Sequence, residues 1–336
     1  MIFDPSLPSS AGKPTKVAKL TRRLLAPNAG AFTFSGTCSY IVGEGEVAII
    51  DPGPAIPAHI DALMNAVRGE KLVGILVTHS HRDHSPAARA LRAITGAPVL
   101  GCAPYAPPKD IAIRGPGLDA SHDPDYAPDR ALKDGESLAL GGATIQAVAT
   151  PGHTANHLCY ALDHAAIGRN RPIAENVIDS KGVERAYGEK PASTFSQRAL
   201  GEERALFTGD HVMGWATTVV APPDGSMADY MASLEKLRAR DDLVYWPAHG
   251  AAIEQPQRYV RGLMAHRRAR EAAILQRLEA GDETIAQMVA HIYRDVDRRL
   301  HGAAALKVLA HLEDLCARGV VGANGAPTLV ARYKRL

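Results

Sequence analysis

The feature that most constrains this chain of 336 residues is a short run of metal-compatible side chains at positions 79–84. The run reads HSHRDH and directly follows the apolar stretch GILV, which has the pattern of a buried strand. Residues two apart on an extended chain point to the same side, so His79 and His81 can bind one ion, while Asp83 and His84 can serve a second. Imidazole nitrogen and carboxylate oxygen are ligands of borderline cations such as Zn²⁺. The run therefore predicts a metal site where a strand ends.

Three further segments repeat this arrangement, in which a strand-like run is followed by a tight turn that carries a potential ligand. They are ATPGHT with His153, LFTGDH with Asp210 and YWPAHG with His249. Glycine and other small residues in such turns allow close approach of the backbone. Together the four segments supply seven candidate ligands, enough for two ions: His79, His81, Asp83, His84, His153, Asp210 and His249.

Strand-like runs and helical patterns both occur along residues 29–257. Strands are predicted at 39–43, 46–51, 72–79, 97–101, 143–150, 157–162, 204–210 and 242–249, and helices near 56–68, 86–95 and 228–238. The strands come first in pairs and later with helices between them. This order favours a mixed α/β layered architecture over an all-β sandwich.

Three other segments have a different character. Residues 1–28 are rich in Pro, Ser and Lys and predict an N-terminal arm, and the polar segment 163–203 predicts an insertion loop, either inert or involved in substrate shaping or oligomer formation. Residues 258–336 contain three helical patterns, the last ending at Gly319 as a candidate C′ residue. An Asn-Gly pair between two short β-like runs follows and predicts a hairpin. This is the order of a winged helix.

Charge and cysteine usage narrow the class of protein further. The net charge is +2, but residues 258–336 carry 14 basic and 8 acidic side chains, which leaves −4 for residues 1–257. The four cysteines are scattered without a CxxC pair, so they predict buried apolar fillers rather than a disulfide framework. No run has the length of a membrane span and the N-terminus has no apolar signal-peptide core. We therefore expect a cytoplasmic protein without a membrane partner.

The four ordered motifs resemble those of the metallo-β-lactamase fold superfamily, whose signature HxHxDH is read here as HSHRDH. The resemblance implies an αββα sandwich, with His79, His81 and His153 on a first metal, Asp83, His84 and His249 on a second, and Asp210 bridging. Asp51, in IIDPGP, matches an aspartate that usually supports the site without binding metal. His211, beside Asp210, is expected to support the ligands or pack structurally rather than contact substrate. The C-terminal segment is similar to the winged-helix appendage of the β-lactamase-like protein 2 group.

This ligand set predicts a binuclear hydrolase with two Zn²⁺ per chain, although Mn²⁺ or Fe would also fit. Two such ions lower the pKa of a shared water, so a bridging hydroxide oriented by Asp83 is expected to attack an ester, thioester or phosphodiester bond. The substrate-binding residues are not predicted. A small ester or thioester and single-stranded RNA remain the alternative substrates, and a homodimer is left open.

Two other functions carry less support from the sequence. No cysteine lies near the motifs, whereas some β-lactamases use a cysteine ligand, so β-lactam hydrolysis is disfavoured. A winged-helix regulator that binds nucleic acid would explain the basic C-terminal segment. A function as such a regulator would leave a complete set of candidate metal ligands without a role. The sequence thus favours an enzyme, with cleavage of single-stranded RNA as the alternative to small-molecule hydrolysis.

Overall fold

The computed structural model describes residues 10–106, 121–163 and 204–336. Its helices are α1 (Pro57–Ala66), α2 (Ala87–Thr95), α3 (Met227–Arg238), α4 (Pro256–Glu279), α5 (Ile285–Ile292) and α6 (His301–Ala317), with a 3₁₀ turn at Arg298–Leu300. Its strands are β1 (Thr15–Lys16), β2 (Thr21–Leu25), β3 (Cys38–Glu44), β4 (Glu46–Ile50), β5 (Lys71–Val77), β6 (Val99–Gly101), β7 (Arg130–Ala131), β8 (Ser137–Leu140), β9 (Ala143–Ala149), β10 (Leu158–Asp163), β11 (Arg204–Gly209), β12 (Val244–Pro247), β13 (Val321–Ala323) and β14 (Tyr333–Arg335).

The strands form two mixed sheets and a small ribbon. The first sheet has the order β1-β2-β3-β4-β5-β6-β7, and the second has the order β12-β11-β10-β9-β8. Strands β4 to β7 are parallel to one another, as are β11 and β12, whereas the other neighbours within the two sheets are antiparallel. All eight predicted strands are present.

The alternation of side chains along the strands of the second sheet shows how the layers are stacked. On β11, Ala205 and Phe207 join the core that also contains the first sheet, whereas Leu206 joins a core with α3 and α4. On β12, Trp246 faces the first core and Tyr245 the second. Because successive side chains of a strand point to opposite faces, this sheet is covered by the other sheet on one side and by helices on the other. The predicted αββα sandwich is confirmed.

The predicted N-terminal arm is wrong for residues 15–16, which form β1, and for residues 21–25, which form β2 and pair with β3 from Thr21↔Val42 to Leu25↔Cys38. Strand β2 was missed because Arg22 and Arg23 interrupt its apolar pattern. Arg22 reaches Glu70, with its Nη2 2.7 Å from Oε2, while Leu24 and Leu25 are buried. Residues 1–9 lie outside the described part.

The predicted insertion falls almost wholly on residues 164–203, which lie outside the described residues. Its two ends are adjacent, because β10 and β11 pair antiparallel with Asp163 opposite Arg204. The four cysteines are free, and Cys38, Cys102 and Cys159 are buried, as expected of apolar fillers. Among the described helices none is long and apolar enough to cross a membrane.

The C-terminal segment folds around a third core, formed by the end of α4, helices α5 and α6 and the β13–β14 ribbon. Gly319 lies just beyond the C-cap of α6 with φ of 69°, which confirms the predicted C′ glycine. The predicted hairpin is present, but Asn324 and Gly325 do not form a two-residue turn. Ala323 pairs with Tyr333, so nine residues connect the strands.

Helix α4 joins the two parts of the chain rather than beginning after a linker. Its first half contributes Val260, Leu263 and Met264 to the core beneath the second sheet, whereas Ile274 and Leu278 lie in the C-terminal core. A helix of 24 residues is about 36 Å long, so it can enter both cores. The predicted division at 257/258 therefore falls at the start of a helix that belongs to both parts.

Leu76, on β5, is fully buried in the core between the sheets. Replacing it with alanine should lower the free energy of unfolding by about 2–5 kcal/mol, because the cavity removes both transfer energy and contacts. Leu300, which is 56% exposed, provides the matched control, and Leu300→Ala should change that energy by less than about 0.5 kcal/mol. Chemical denaturation measures both, and equal effects would contradict the assigned core.

Candidate metal centre

All seven predicted ligands lie at one edge of the sandwich, because the loops that carry them follow the carboxyl ends of strands. His79 follows β5, Asp210 follows β11 and His249 follows β12. Parallel pairing of β4 with β5 and of β11 with β12 brings these ends to the same edge. The structure therefore brings together side chains that lie up to 170 residues apart in the sequence.

The first group consists of His79, His81 and His153. The Nε2 atom of His79 lies 3.0 Å from Nδ1 of His81, and Nε2 of His153 lies 3.3 Å from the same atom. The three nitrogens are close enough to bind one cation.

The second group consists of Asp83, His84 and His249. Oδ2 of Asp83 lies 3.4 Å from Nε2 of His84 and 3.1 Å from Nε2 of His249. These three atoms also form a compact set that could hold one cation.

Asp210 lies between the two groups. Its Oδ2 atom is 3.7 Å from Nε2 of His153, in the first group. Its Oδ1 atom is 3.6 Å from Nε2 of His84 and 3.3 Å from Nε2 of His249, in the second. Each carboxylate oxygen thus faces one group, which is the arrangement that a bridging ligand requires.

Hydrogen bonds at the opposite ring nitrogens orient the histidines. Nδ1 of His153 donates to the Val219 carbonyl at 2.7 Å, and Nδ1 of His249 donates to the Gly36 carbonyl at 3.3 Å. Because a carbonyl oxygen can only accept, these Nδ1 atoms carry a proton and Nε2 is the ligand atom.

Asp51 organises two ligands at once. Its carboxylate accepts hydrogen bonds from the Thr78 amide, from Thr78 Oγ1 and from Nδ1 of His84, at 2.8, 2.8 and 3.0 Å. Because the Thr78 hydroxyl donates to Asp51, it accepts from Nδ1 of His79 at 3.0 Å, so Nε2 of His79 is directed to the centre. The expectation that Asp51 supports the ligands agrees with this geometry.

The donor atoms fit a pair of divalent cations. Nε2 of His84, Nε2 of His249 and Oδ1 of Asp210 are buried polar atoms without a hydrogen-bond partner among the described residues. Buried polar atoms are normally satisfied, so a converging set of unsatisfied nitrogen and oxygen atoms is explained by a cation. The mixture of imidazole and carboxylate suits Zn²⁺, Mn²⁺ or Fe.

The two groups differ in their electrostatics. Burial, followed by neighbouring histidines, holds the pKa of His79 well below its ordinary value, so its lone pair is available at neutral pH. Burial acts in the same direction on His84, but Asp83, Asp210 and Asp51 outweigh it and raise the pKa of His84 well above its ordinary value. Since Nδ1 of His84 donates to Asp51, the proton that titrates is the one on Nε2.

His211 does not support the ligands through a hydrogen bond. Its ring is fully buried, neither ring nitrogen has a partner in the described part of the chain, and the ring packs 4.7 Å from Tyr230. It therefore packs against α3. A structural packing role was one of the two roles expected for this residue.

Two histidines beside the centre were missed by sequence reasoning. His157 is buried with its ring 5.1 Å from that of His79, and Nδ1 of His157 lies 3.0 Å from Thr150 Oγ1. Gly209 has φ of 50°, and a Cβ there would lie 2.7 Å from Nε2 of His157, so this turn requires glycine. The sequence feature that could have identified His157 is its position at the start of a strand, at the edge that carries the candidate ligands.

His122, which the sequence analysis did not single out, forms a wall of the site. Its ring lies 4.7 Å from that of His81, and its Nε2 is 3.1 Å from Asp224 Oδ2. A pocket here opens beside the first group and is lined by His81, Ser121, His122, His153, Val219, Ala221, Pro223 and Asp224. Nothing in its immediate sequence indicated this position, because the contact depends on the loop that returns to Ser80.

Asp51→Asn should weaken metal binding by about 10- to 100-fold, because the amide nitrogen cannot accept hydrogen bonds from both Thr78 and His84. Competition with a chromophoric chelator measures the affinity. Asp61→Asn, on the exposed face of α1, is the matched control and should bind metal normally. An unchanged affinity in Asp51→Asn would contradict the assigned role.

Metal affinity should also fall as the pH decreases. The raised pKa of His84 means that a cation in the second group must displace its proton, and this displacement becomes harder at lower pH. The same chelator competition at pH 6 and pH 8 should give weaker binding at pH 6, with proton release detectable in weakly buffered solution. Equal affinities at the two pH values would contradict the assignment.

Comparisons with known proteins agree with this geometry. Residues 31–165 match the model of the metallo-beta-lactamase superfamily, and residues 284–327 match that of the beta-lactamase associated winged helix domain. A beta-lactamase domain protein from Burkholderia ambifaria has a TM-score of 0.71 at 21% identity, over 98% of this chain and 95% of that one. A metallo-beta-lactamase family protein from Thermus thermophilus has a TM-score of 0.64 at 21% identity, over 94% and 98%. These two likenesses show the fold.

Curated relatives are similar over most of the chain. A beta-lactamase-like protein 2 homolog from Caenorhabditis elegans is 29% identical over 91% of this chain and 87% of its own length. An atrochrysone carboxyl ACP thioesterase from a Cryptosporiopsis species is 27% identical over 81% and 71%. Another thioesterase of that name, from Paecilomyces divaricatus, is 30% identical over 76% and 64%. With the family matches, they show that this chain carries a metallo-β-lactamase superfamily domain of the hydrolase type and a β-lactamase-associated winged helix domain.

Proposed function

We propose that the chain is a binuclear metal-dependent thioesterase that hydrolyses a small acyl thioester, with Zn²⁺ as its metal. The observation that carries the proposal is the position of Asp210, with one carboxylate oxygen toward each ligand group. Two relatives named as ACP thioesterases support the choice of thioester.

Different residues would have different roles in such a reaction. Two divalent ions in these groups would supply a water of lowered pKa and polarise the thioester carbonyl. The Asp83 side chain is 27% exposed, so its carboxylate can accept a hydrogen bond from the attacking water and orient it. Asp51, Val219 and Gly36 hold the histidine rings in the required tautomers.

The pocket beside His81 and His153 provides a place for the acyl group. Its lining includes apolar carbon from Val219, Ala221 and Pro223 and polar atoms from His122 and Asp224. An apolar wall with a few convergent polar groups is typical of a small-molecule site.

Cleavage of single-stranded RNA is the competing function, supported by the beta-lactamase-like protein 2 homolog and by the basic C-terminal segment. Part of that basic charge is already paired within the chain. Arginines pair with carboxylates at Arg277–Asp282, Arg299–Asp297, Arg318–Glu271, Arg332–Glu283 and Arg335–Glu279. This pairing leaves fewer free cations for a phosphate backbone and favours the small-molecule substrate.

His79→Ala should reduce thioester turnover by more than about 100-fold and remove metal from the first group, because it deletes a central ligand. The assay uses metal-quantified protein with acyl thioesters and single-stranded RNA in parallel. His291→Ala, on the exposed side of α5, is the matched histidine control and should retain activity and metal content. Cleavage of RNA without thioester turnover, lost in His79→Ala, would replace this proposal with the nuclease.

A further inference from the structure

Five side chains that can carry positive charge gather between α4 and α6, away from the metal ligands. Helix α4 contributes His266, Arg267 and Arg270, and α6 contributes Lys307 and His311; we call them the cation cluster. On each helix the members include residues four apart, which lie on one face. Burial and then the charges of Arg267 and Arg270 lower the pKa of Lys307 to about 8 and that of His311 to about 3. Ala310, next to His311, lies in the same core as Leu263 and Met264 of α4, so these parts of the two helices pack together.

Among the described residues, no carboxylate pairs with any member of the cation cluster. The acidic side chains of these helices are engaged elsewhere, since Glu271 and Asp314 both bind Arg318. Burial alone raises the pKa of Glu313 to about 7, so the cation cluster does not stabilise the charged form of this carboxyl either. The positive charge thus has no counter-charge within the described part of the chain.

Several polar atoms of the cluster are also buried without partners. Arg267 is 3% exposed, and its Nη2 donates to the Thr218 carbonyl at 2.6 Å, but its Nε has no acceptor. His311 is 1% exposed, with neither ring nitrogen bonded. The Tyr230 hydroxyl, also buried, has no partner, and Arg267 Cζ lies 5.0 Å from the centre of its ring. A buried cation without an anion and buried polar atoms without hydrogen bonds are both costly, so these atoms point to a missing ligand.

The cluster is connected to the metal centre through one loop. Arg267 holds the Thr218 carbonyl, and the next carbonyl, that of Val219, accepts the hydrogen bond from Nδ1 of the ligand His153. The Thr218 hydroxyl donates to the carbonyl of His211, next to the bridging Asp210. A ligand of the cluster would therefore bind close to the loop that positions a metal ligand.

We propose that the cation cluster between α4 and α6 binds a phosphate group. The planar donor forks of two arginines suit the tetrahedral oxyanion, and the lysine ammonium adds a point charge. The phosphate is either free inorganic phosphate or the phosphate of a thioester substrate carried on a phosphopantetheine arm. Only the second source rests on the proposed thioesterase function.

The test uses the full-length protein and inorganic phosphate, with sodium chloride at matched ionic strength as the comparison. Phosphate should raise the melting temperature by about 2 °C or more beyond the effect of chloride, and calorimetry should detect one site. Lys307→Met should abolish this response. It should also raise the melting temperature in phosphate-free buffer, because it removes an uncompensated cation from a partly buried position.

Arg268→Gln is the matched control, since Arg268 is exposed on the same helix beside Arg267, and it should respond to phosphate as the parent does. A response to phosphate no larger than that to chloride would overturn the proposal. An equal response in Lys307→Met and the parent would overturn it too. These measurements involve no turnover, so their outcome does not depend on whether thioesters are substrates.

Kinetics with two thioesters distinguish the two sources of phosphate. If the cluster binds the substrate, Lys307→Met should raise KM about 10-fold for an acyl-coenzyme A, but not for the corresponding acyl-pantetheine, which lacks phosphate. Inorganic phosphate should then compete with the first substrate. If both KM values stay unchanged while calorimetry still detects phosphate in the parent, the cluster binds the free anion.

Discussion

The candidate metal centre depends on the carboxylate of Asp51, which lies outside both candidate ligand groups but orients one member of each. It accepts from the Thr78 amide and hydroxyl and from Nδ1 of His84. The Thr78 hydroxyl then orients His79, so one buried carboxylate sets rings in both ligand groups. Asp51 has φ of 47°, a conformation that is unfavourable for a residue other than glycine. The surrounding hydrogen bonds maintain this conformation, which is typical of a functional site.

The sandwich explains why these ligands can meet. The first sheet supplies the loops after β4 and β5, and the second supplies those after β9, β11 and β12. The core between the sheets is continuous and includes Tyr40, whose hydroxyl donates to the Pro247 carbonyl at 2.7 Å, across the two sheets. Because each candidate ligand loop begins at a strand end fixed by this packing, the sandwich determines where the candidate ligands lie.

Helix α4 gives the C-terminal segment a physical connection to the centre. Its first half lies in the core under the second sheet, and its last turns lie in the C-terminal core. Arg267, in the first half, contacts the loop that holds His153. A molecule bound between α4 and α6 would act close to the loop that positions His153, which is a more direct connection than a flexible linker between two domains would provide.

The sequence by itself determined the local features of this protein. Short β-branched and apolar runs predicted eight of the strands, and four turns that carry strong ligand residues predicted the seven candidate ligands. It did not reveal β2, because Arg22 and Arg23 obscure the pattern of a strand whose burial depends on its neighbours.

Only the tertiary structure decided which distant groups meet. The placement of Asp210 between two ligand groups, the approach of His122 to His81 and the clustering of Arg267 with Lys307 all join residues far apart in the chain. Local propensity depends on residues a few positions apart, whereas such contacts depend on how sheets and helices pack. The sequence therefore determined the chemistry of the ligands, and the packing of the sandwich and of α4 decided their geometry.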